Sequence, residues 1–340
     1  MSIFDLTLTD LESILVTNGF KKFNATQVFE GIYKKRVKSF DEITNISKDL
    51  KEFLNNNYSL KYLSIVDELS SDDTNKYLLE VKDSFVECVL MKHDYGNSLC
   101  ISTEIGCNMA CAFCESGKLK KIRGLSVSEI VLQVLTIEEK ENIRISNIVF
   151  MGIGEPFDNY DNIIKSINIL TCPKGIDLGS RKITVSTCGL VPKIKEFADT
   201  PGQVNLAISL HASNDSTRNK LMPINKVYPI KEVINAIDYY INKTNRKVTI
   251  EYILLDGIND SVENALELVN LFKVKLVYIN LIPYNSTSSG FKRSDKETIS
   301  KFFDTLTKNG INVQMRREMG KNIKGACGQL RASHESNIIS

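Results

Sequence analysis

Cys107-Asn108-Met109-Ala110-Cys111-Ala112-Phe113-Cys114 places three thiols within eight residues, in the pattern C-x3-C-x2-C. The stretch follows a strand-length apolar run at 98–103, and similar runs recur near 147–151, 182–186, 204–209, 247–255 and 276–281. Helical periodicity fills most of the gaps between them. After the capping box Ser126-x-x-Glu129, the residues Val127, Ile130, Val131, Val134 and Leu135 share one helix face. Pro229 opens another helix, with Ile230, Val233, Ile234, Ile237 and Ile241 along one side. Strands alternating with helices imply parallel strands joined by right-handed crossovers. Six such units are too few to close an eight-stranded barrel but suffice for an open one, an α/β fold whose ligands bind at the C-terminal ends of the strands. The three thiols fall at that end.

Upstream the pattern is different. Asn24 is placed to cap a helix running to about Arg36, and Ser39-x-x-Glu42 forms a capping box ahead of another. Residues 61–69, 76–82 and 85–92 read as short strands, with Ser-Ser-Asp-Asp-Thr-Asn at 70–75 as a turn. The expected division is an accessory region at 1–97, a catalytic domain at 98–335 and a flexible tail at 336–340. In composition the 340-residue chain is that of an ordinary globular enzyme, 42% hydrophobic and 25% charged, which excludes disordered and fibrous classes. It has no apolar run of transmembrane length and no basic segment ahead of a hydrophobic one, so a cytoplasmic protein is expected. Forty-three basic against 41 acidic residues leave a net charge of +2, so any nucleic-acid surface must be local.

Eight cysteines in a chain without a secretory pattern read as reduced thiols, metal-binding or catalytic. Three closely spaced thiolates can hold three irons of a cubane cluster, leaving the fourth iron to a ligand from elsewhere. The other reading is a structural zinc site, which wants a fourth Cys or His. His93 and His211 are available, though neither stands at zinc-finger spacing.

With Phe113 as the aromatic before the third cysteine, the motif resembles that of the radical S-adenosylmethionine (SAM) superfamily, whose fold is an open (β/α)6 partial barrel. Further motifs narrow the resemblance. FNATQVFEGIY at 23–33, VECVLM at 86–91, LCISTEIGC at 99–107, MGIGEP at 151–156, ITVSTCG at 183–189, AISLHASND at 207–215, KLMPIN at 220–225, LIPYN at 281–285 and ACGQL at 326–330 resemble the RlmN/Cfr methyltransferases, in that family's order.

The resemblance implies an enzyme that transfers a methyl-derived carbon to an sp2 carbon of an adenosine in 23S rRNA. It implies a [4Fe-4S] cluster on Cys107, Cys111 and Cys114, and two SAM molecules per turnover. One would methylate Cys327; the other would be cleaved to a 5′-deoxyadenosyl radical that takes hydrogen from that methyl group. The methylene radical adds to the adenine, Glu87 accepts the ring proton, and Cys100 attacks the sulfur of Cys327, leaving a disulfide to be reduced. Gly154, Glu155, Ser186, Ser209, Leu210, His211 and Asn285 match SAM contacts of the family, and all fall at predicted strand C-termini. An electron donor such as flavodoxin or ferredoxin is implied, as is a monomer.

Two basic patches are candidates for phosphate contacts. The first holds Lys21, Lys22, Lys34, Lys35, Arg36 and Lys38; the second holds Lys118, Lys120, Lys121 and Arg123 beside the cysteines. The sequence departs from the family pattern at Glu104, Glu115-Ser116-Gly117, Gly124 and Cys188. MGIGEP and LIPYN resemble the RlmN branch, which methylates C2 of adenosine 2503 and, in some members, C2 of adenosine 37 in tRNA. The Cfr branch, which methylates C8 of the same rRNA base, is the alternative. A zinc-holding RNA-binding protein without catalysis is the remote one.

Overall fold

The structure, a computed structural model, describes residues 1–285 and 289–317. The expected tail and Cys327 lie outside the described residues. Three helices come first: α1 Leu8–Thr17, α2 Lys22–Tyr33 and α3 Lys48–Asn57. Then follow β1 Ile65–Ser70, β2 Thr74–Val81, β3 Ser84–His93 and β4 Gly96–Cys100, with a short ribbon of β5 Glu104–Ile105 and β6 Arg123–Gly124 flanking the cysteines. The rest alternates: α4 Val127–Glu141, β7 Ile145–Phe150, α5 Tyr160–Thr171, β8 Ile183–Thr187, α6 Val191–Asp199, β9 Asn205–Ser209, α7 Asp215–Leu221, α8 Ile230–Thr244, β10 Val248–Leu254, α9 Val262–Phe272, β11 Val277–Pro283, α10 Lys296–Lys308 and β12 Val313–Met315.

From β4 onward each large-sheet strand pairs parallel with the next in the chain, and the order β4-β7-β8-β9-β10-β11-β12 is that of successive strand–helix units. This is the expected open array, with one addition. β12 is three residues long, too short for a periodicity signal, and it forms only because β11 offers an unpaired edge. At the other end β1, β2 and β3 add on antiparallel, so a single ten-stranded sheet runs through residue 97.

Two expected helix starts are displaced. Lys21 is the N-cap of α2 and Asn24 is its third residue, whose Oδ1 accepts the Lys21 amide at 3.1 Å. The Ser39–Glu42 pair stops at one 3-10 turn, Phe40–Glu42, and the next helix is instead capped by Ser47, whose Oγ accepts the Leu50 amide. A side chain able to cap does so only where tertiary packing lets a helix continue.

The Ser126–Glu129 capping box is formed, with both reciprocal hydrogen bonds. The helix it starts is buried on every side from Val127 to Glu138 rather than along one face. The N-terminal region covers its far side. Asp5 accepts the Ser128 amide at 2.8 Å, Thr136 Oγ1 accepts the Leu63 amide at 3.3 Å, and Arg36 is paired with Glu138. Polar residues that would face water in an isolated amphipathic helix are thereby spent on hydrogen bonds and an ion pair with the N-terminal residues.

Candidate active site

The cysteine loop leaves β5 and returns through β6. The Cys107 amide donates to Leu119 O at 2.8 Å, the Cys114 amide to Cys111 O at 3.1 Å and the Ala112 amide to Leu221 O at 2.9 Å. The last of these docks the loop on the end of α7. Burial raises the Cys107 thiol to about 12, and Cys111 is pushed up further by burial together with the charges of Cys114 and Cys107. Each thiol is partly exposed. The three sense one another, yet among the described residues no three His, Cys, Asp or Glu side chains converge on one ion position. A structural zinc site wants a fourth Cys or His beside the three thiolates. A cubane gives each thiolate its own iron, so three cysteines on one loop supply three of its four ligands. The donor set fits an iron–sulfur cluster.

The loops at the strand ends close round these cysteines through named contacts. The Phe113 ring meets His211 edge-on, with centroids 5.0 Å apart, and the Tyr284 hydroxyl donates to Phe113 O at 3.5 Å. Those contacts join the cysteine loop to the ends of β9 and β11. Glu104 Oε2 accepts the Glu155 amide at 2.9 Å, joining the start of the loop to the end of β7. Glu155 then spans to β8: Oε1 accepts the Phe157 amide at 3.1 Å and Oε2 the Cys188 amide at 2.8 Å. Gly154 stands at φ +107, and a Cβ there would lie 2.5 Å from Glu104 Cγ, so only glycine lets this turn approach the loop.

The remaining expected SAM contacts take varied positions. Ser186 and Ser209 face each other across the ends of β8 and β9, their hydroxyls 3.4 Å apart. Leu210 is fully buried, and its amide donates to Glu251 O at 3.1 Å. His211 is left-handed at φ 56, and its Nδ1 accepts the Ile253 amide at 3.1 Å. That leaves Nε2 as the protonated nitrogen of a neutral ring. Burial, with the Arg218 charge, lowers its pKa from 6.5 to about 3. An unfolded chain takes up that proton below about pH 6.5 and the folded one does not, so this residue's contribution to stability is lost as pH falls from 6.5 towards 3. The His211 ring resonances are expected not to titrate between about pH 5 and 8, as followed by NMR. Asn285 is exposed at the end of the described part of its loop.

Glu87 lies on β3 and Cys100 ends β4, and Ser102 Oγ links them to the loop after β7, donating to Glu87 O at 2.6 Å and accepting the Ile153 amide at 2.9 Å. As a lone acid on a strand Glu87 would be expected to face solvent; it is instead 2% exposed, and its Oε2 lies 3.4 Å from Lys76 Nζ. Burial pushes the Cys100 thiol up to about 11, against lowering by Arg316 and Lys76. Cys327, the remaining expected catalytic residue, lies outside the described residues.

Sequence reading missed Arg218. Its side chain is fully buried and holds five acceptors: Leu210 O at 3.1 Å, Asn225 Oδ1 at 2.9 Å, Tyr228 O at 3.4 Å, Cys188 O at 2.6 Å and Ser209 O at 3.4 Å. One guanidinium thus fixes the ends of β8 and β9 on which the Ser186, Ser209 and His211 positions depend. Its signal in sequence, one Arg just before KLMPIN, is indistinguishable from a surface charge.

The second basic patch is mostly neutralised. Lys118 pairs with Glu115 at 3.0 Å, Lys121 with Glu104 at 2.6 Å and Asp158 at 2.7 Å, and Arg123 with Asp83 at 2.5 Å and Glu129 at 2.7 Å. Two of the departures from the family pattern, Glu104 and Glu115, each pair with a lysine. At Gly124 a Cβ would lie 2.6 Å from Asn159 Oδ1, whose amide group bonds Thr103 O and Leu125 O. In the first patch Lys22 pairs with Glu12 at 3.2 Å, and Lys38 with Glu139 at 2.5 Å. Lys34 and Lys35 are exposed, with no ion pair among the described residues.

Strand-end loops gathered round three cysteines on an open parallel sheet define the radical SAM class. Residues 101–269 match the Radical SAM superfamily, and residues 1–60 match the ribosomal RNA large subunit methyltransferase N-terminal domain. A radical SAM methyltransferase from Sphaerobacter thermophilus superposes with a TM-score of 0.91 at 40% identity, over 97% of this chain and 98% of that one. A probable dual-specificity RNA methyltransferase RlmN from Spiroplasma citri is 53% identical over 99% of both chains. The Acholeplasma laidlawii protein of the same description is 50% identical over 98% of this chain and all of its own. The chain belongs to the RlmN family of radical SAM RNA methyltransferases, the branch that MGIGEP and LIPYN had indicated over Cfr. No described helix is long and apolar enough to cross a membrane.

Proposed function

We propose that this chain methylates C2 of adenosine 2503 in 23S rRNA and, as its second substrate, C2 of adenosine 37 in tRNA. The observation that carries this reading is the near-complete alignment with relatives described as dual-specificity enzymes. Cys107, Cys111 and Cys114 would hold the [4Fe-4S] cluster, and the ends of β7, β8, β9 and β11 would hold SAM through Gly154, Glu155, Ser186, Ser209, Leu210, His211 and Asn285. Bound together, the two groups supply one-electron cleavage of SAM to a carbon radical, which an unreactive ring carbon requires.

The chain's own residues do the rest. Glu155 braces the cofactor-facing turns with both oxygens on backbone amides, so its buried charge is shared with the loops it holds. The neutral His211 presents an Nε2–H donor, which suits an acceptor atom of a bound nucleoside. Cys327 would carry the transferred carbon, and Glu87 would accept the proton leaving C2. The Cys100 thiolate would then attack the Cys327 sulfur, forming a disulfide as the sulfur–carbon bond breaks; the bond pair leaves with the transferred carbon, which takes up a proton to become the methyl group, and an external reductant restores the two thiols. Lys34, Lys35 and Lys120 are the exposed cations best placed for phosphate contacts, as part of the accessory region and beside the cysteines. A flavodoxin or ferredoxin would supply electrons to a cytoplasmic monomer.

Nucleoside mass spectrometry of unmodified 23S rRNA, treated anaerobically with reconstituted protein, SAM and reductant, tests the reading. 2-Methyladenosine is the expected product; 8-methyladenosine would move the chain's chemistry to the C8 reaction. Cys100→Ala is expected to lower product at least about 100-fold while SAM cleavage persists, with protein–RNA adduct accumulating on denaturing gels.

A further inference from the structure

Lys76 is fully buried, which is rare for a lysine and costly unless it is paired. Strand register shows where its ammonium works. Lys76 on β2 pairs with Val89 on β3, and Val89 pairs with Cys100 on β4. Directly paired residues share a sheet face, as do residues two apart on one strand. Lys76, Glu87 and Cys100 therefore occupy one face, with Glu87 paired to Lys76 at 3.4 Å and the Cys100 thiol in the field of both charges and of Arg316. Cys88, next in sequence, belongs to the opposite face. A buried carboxylate without a cation takes up a proton and ceases to be a base. Replacing a buried ion pair by apolar residues often leaves a fold as stable or more so, so stability alone does not account for an ion pair in this row.

We propose that Lys76 is a positioning residue for methyl transfer, its ammonium the counter-charge that holds the Glu87 carboxylate on the face it shares with Cys100. The inference rests on the reading of Glu87 as proton acceptor. In that step the C2–H bond of the radical adduct breaks and its electron pair stays with the ring. The proton forms an O–H bond on Glu87, the one unpaired electron left by radical addition passes back to the one-electron carrier that began the turnover, and Lys76 keeps its own proton throughout.

The test uses full-length reconstituted enzyme with unmodified 23S rRNA, comparing K76M, K76R, E87Q and K76M/E87Q in single turnover. K76M is expected to lower 2-methyladenosine formation by about 100-fold, the lower end of what a general base contributes. SAM cleavage and Cys327 methylation should stay within about 2-fold, and K76R should recover product to within about 10-fold of the parent. The double variant should fall no further than E87Q alone, because Lys76 acts through Glu87. A readout without RNA or cofactor comes from infrared difference spectra. A protonated-carboxyl band should appear in K76M minus K76M/E87Q and be missing from parent minus E87Q. Parent-like product from K76M, losses that multiply in the double variant, or absence of that band would each overturn the proposal. If K76M does not fold, K76R decides: retained product supports the role of charge, and lost product with intact SAM cleavage refutes it. Full activity of E87Q would instead remove the reading of Glu87, with the infrared bands still reporting on the ion pair.

Discussion

Cys111→Ser is expected to give a folded, colourless protein in which reductive SAM cleavage falls by more than about 10³-fold, a loss of over about 4 kcal/mol of transition-state stabilisation. On the proposed reading the substitution would remove one of three thiolate ligands, and a serine hydroxyl binds iron far more weakly. Folding should survive because the loop is held by backbone hydrogen bonds, from Ala112 to Leu221 O and from Cys107 to Leu119 O, that the substitution leaves in place. Optical absorbance after anaerobic reconstitution, iron and sulfide content, and the yield of 5′-deoxyadenosine check the result. A variant that kept the cluster and cleaved SAM like the parent would exclude Cys111 as a ligand. A colourless parent containing stoichiometric zinc would restore the structural-zinc reading for the same three thiols.

Arg218→Met is expected to destabilise the apoprotein by several kcal/mol, since each buried acceptor left without its donor costs about 1–3 kcal/mol. The guanidinium serves five acceptors, four of them backbone carbonyls, and methionine serves none of them. Each carbonyl stranded in the interior adds its own desolvation cost. Because Cys188 O, Ser209 O and Leu210 O mark the ends of β8 and β9, the same variant should weaken SAM binding by about tenfold or more once those ends shift, a change near 1.4 kcal/mol. Denaturant unfolding gives the first quantity and SAM titration calorimetry of the reconstituted protein the second. Arg218→Lys should remain destabilised, since one ammonium cannot reach acceptors spread round a planar fork. Unchanged stability in Arg218→Met would show that the five hydrogen bonds contribute little net energy.

Much of the architecture was legible because it is written in short-range periodicity. The six strand runs, the Ser126 cap and the helix after Pro229 each depend on residues within a few positions of one another. The three clustered cysteines were legible for the same reason. Asn24 and Ser39 misled because capping chemistry is common, and packing chooses which candidate is used. The buried length of α4 could not be read from its own stripe, since what covers its second face is a region over sixty residues upstream.

By itself, then, the sequence determined the alternating α/β class, the cysteine motif and, through ordered motifs, the family. Only the tertiary structure decided the charge balance of the site. Glu87 becomes a buried partner of Lys76, Glu104 a partner of Lys121, and the patch beside the cysteines is largely neutralised by acids from Asp83 to Asp158. Arg218 acquires its importance only where β8, β9 and the turn before α8 meet. The physical reason is range. Periodicity and capping are set by neighbours along the chain, whereas the cost of burying a charge depends on what the fold brings beside it.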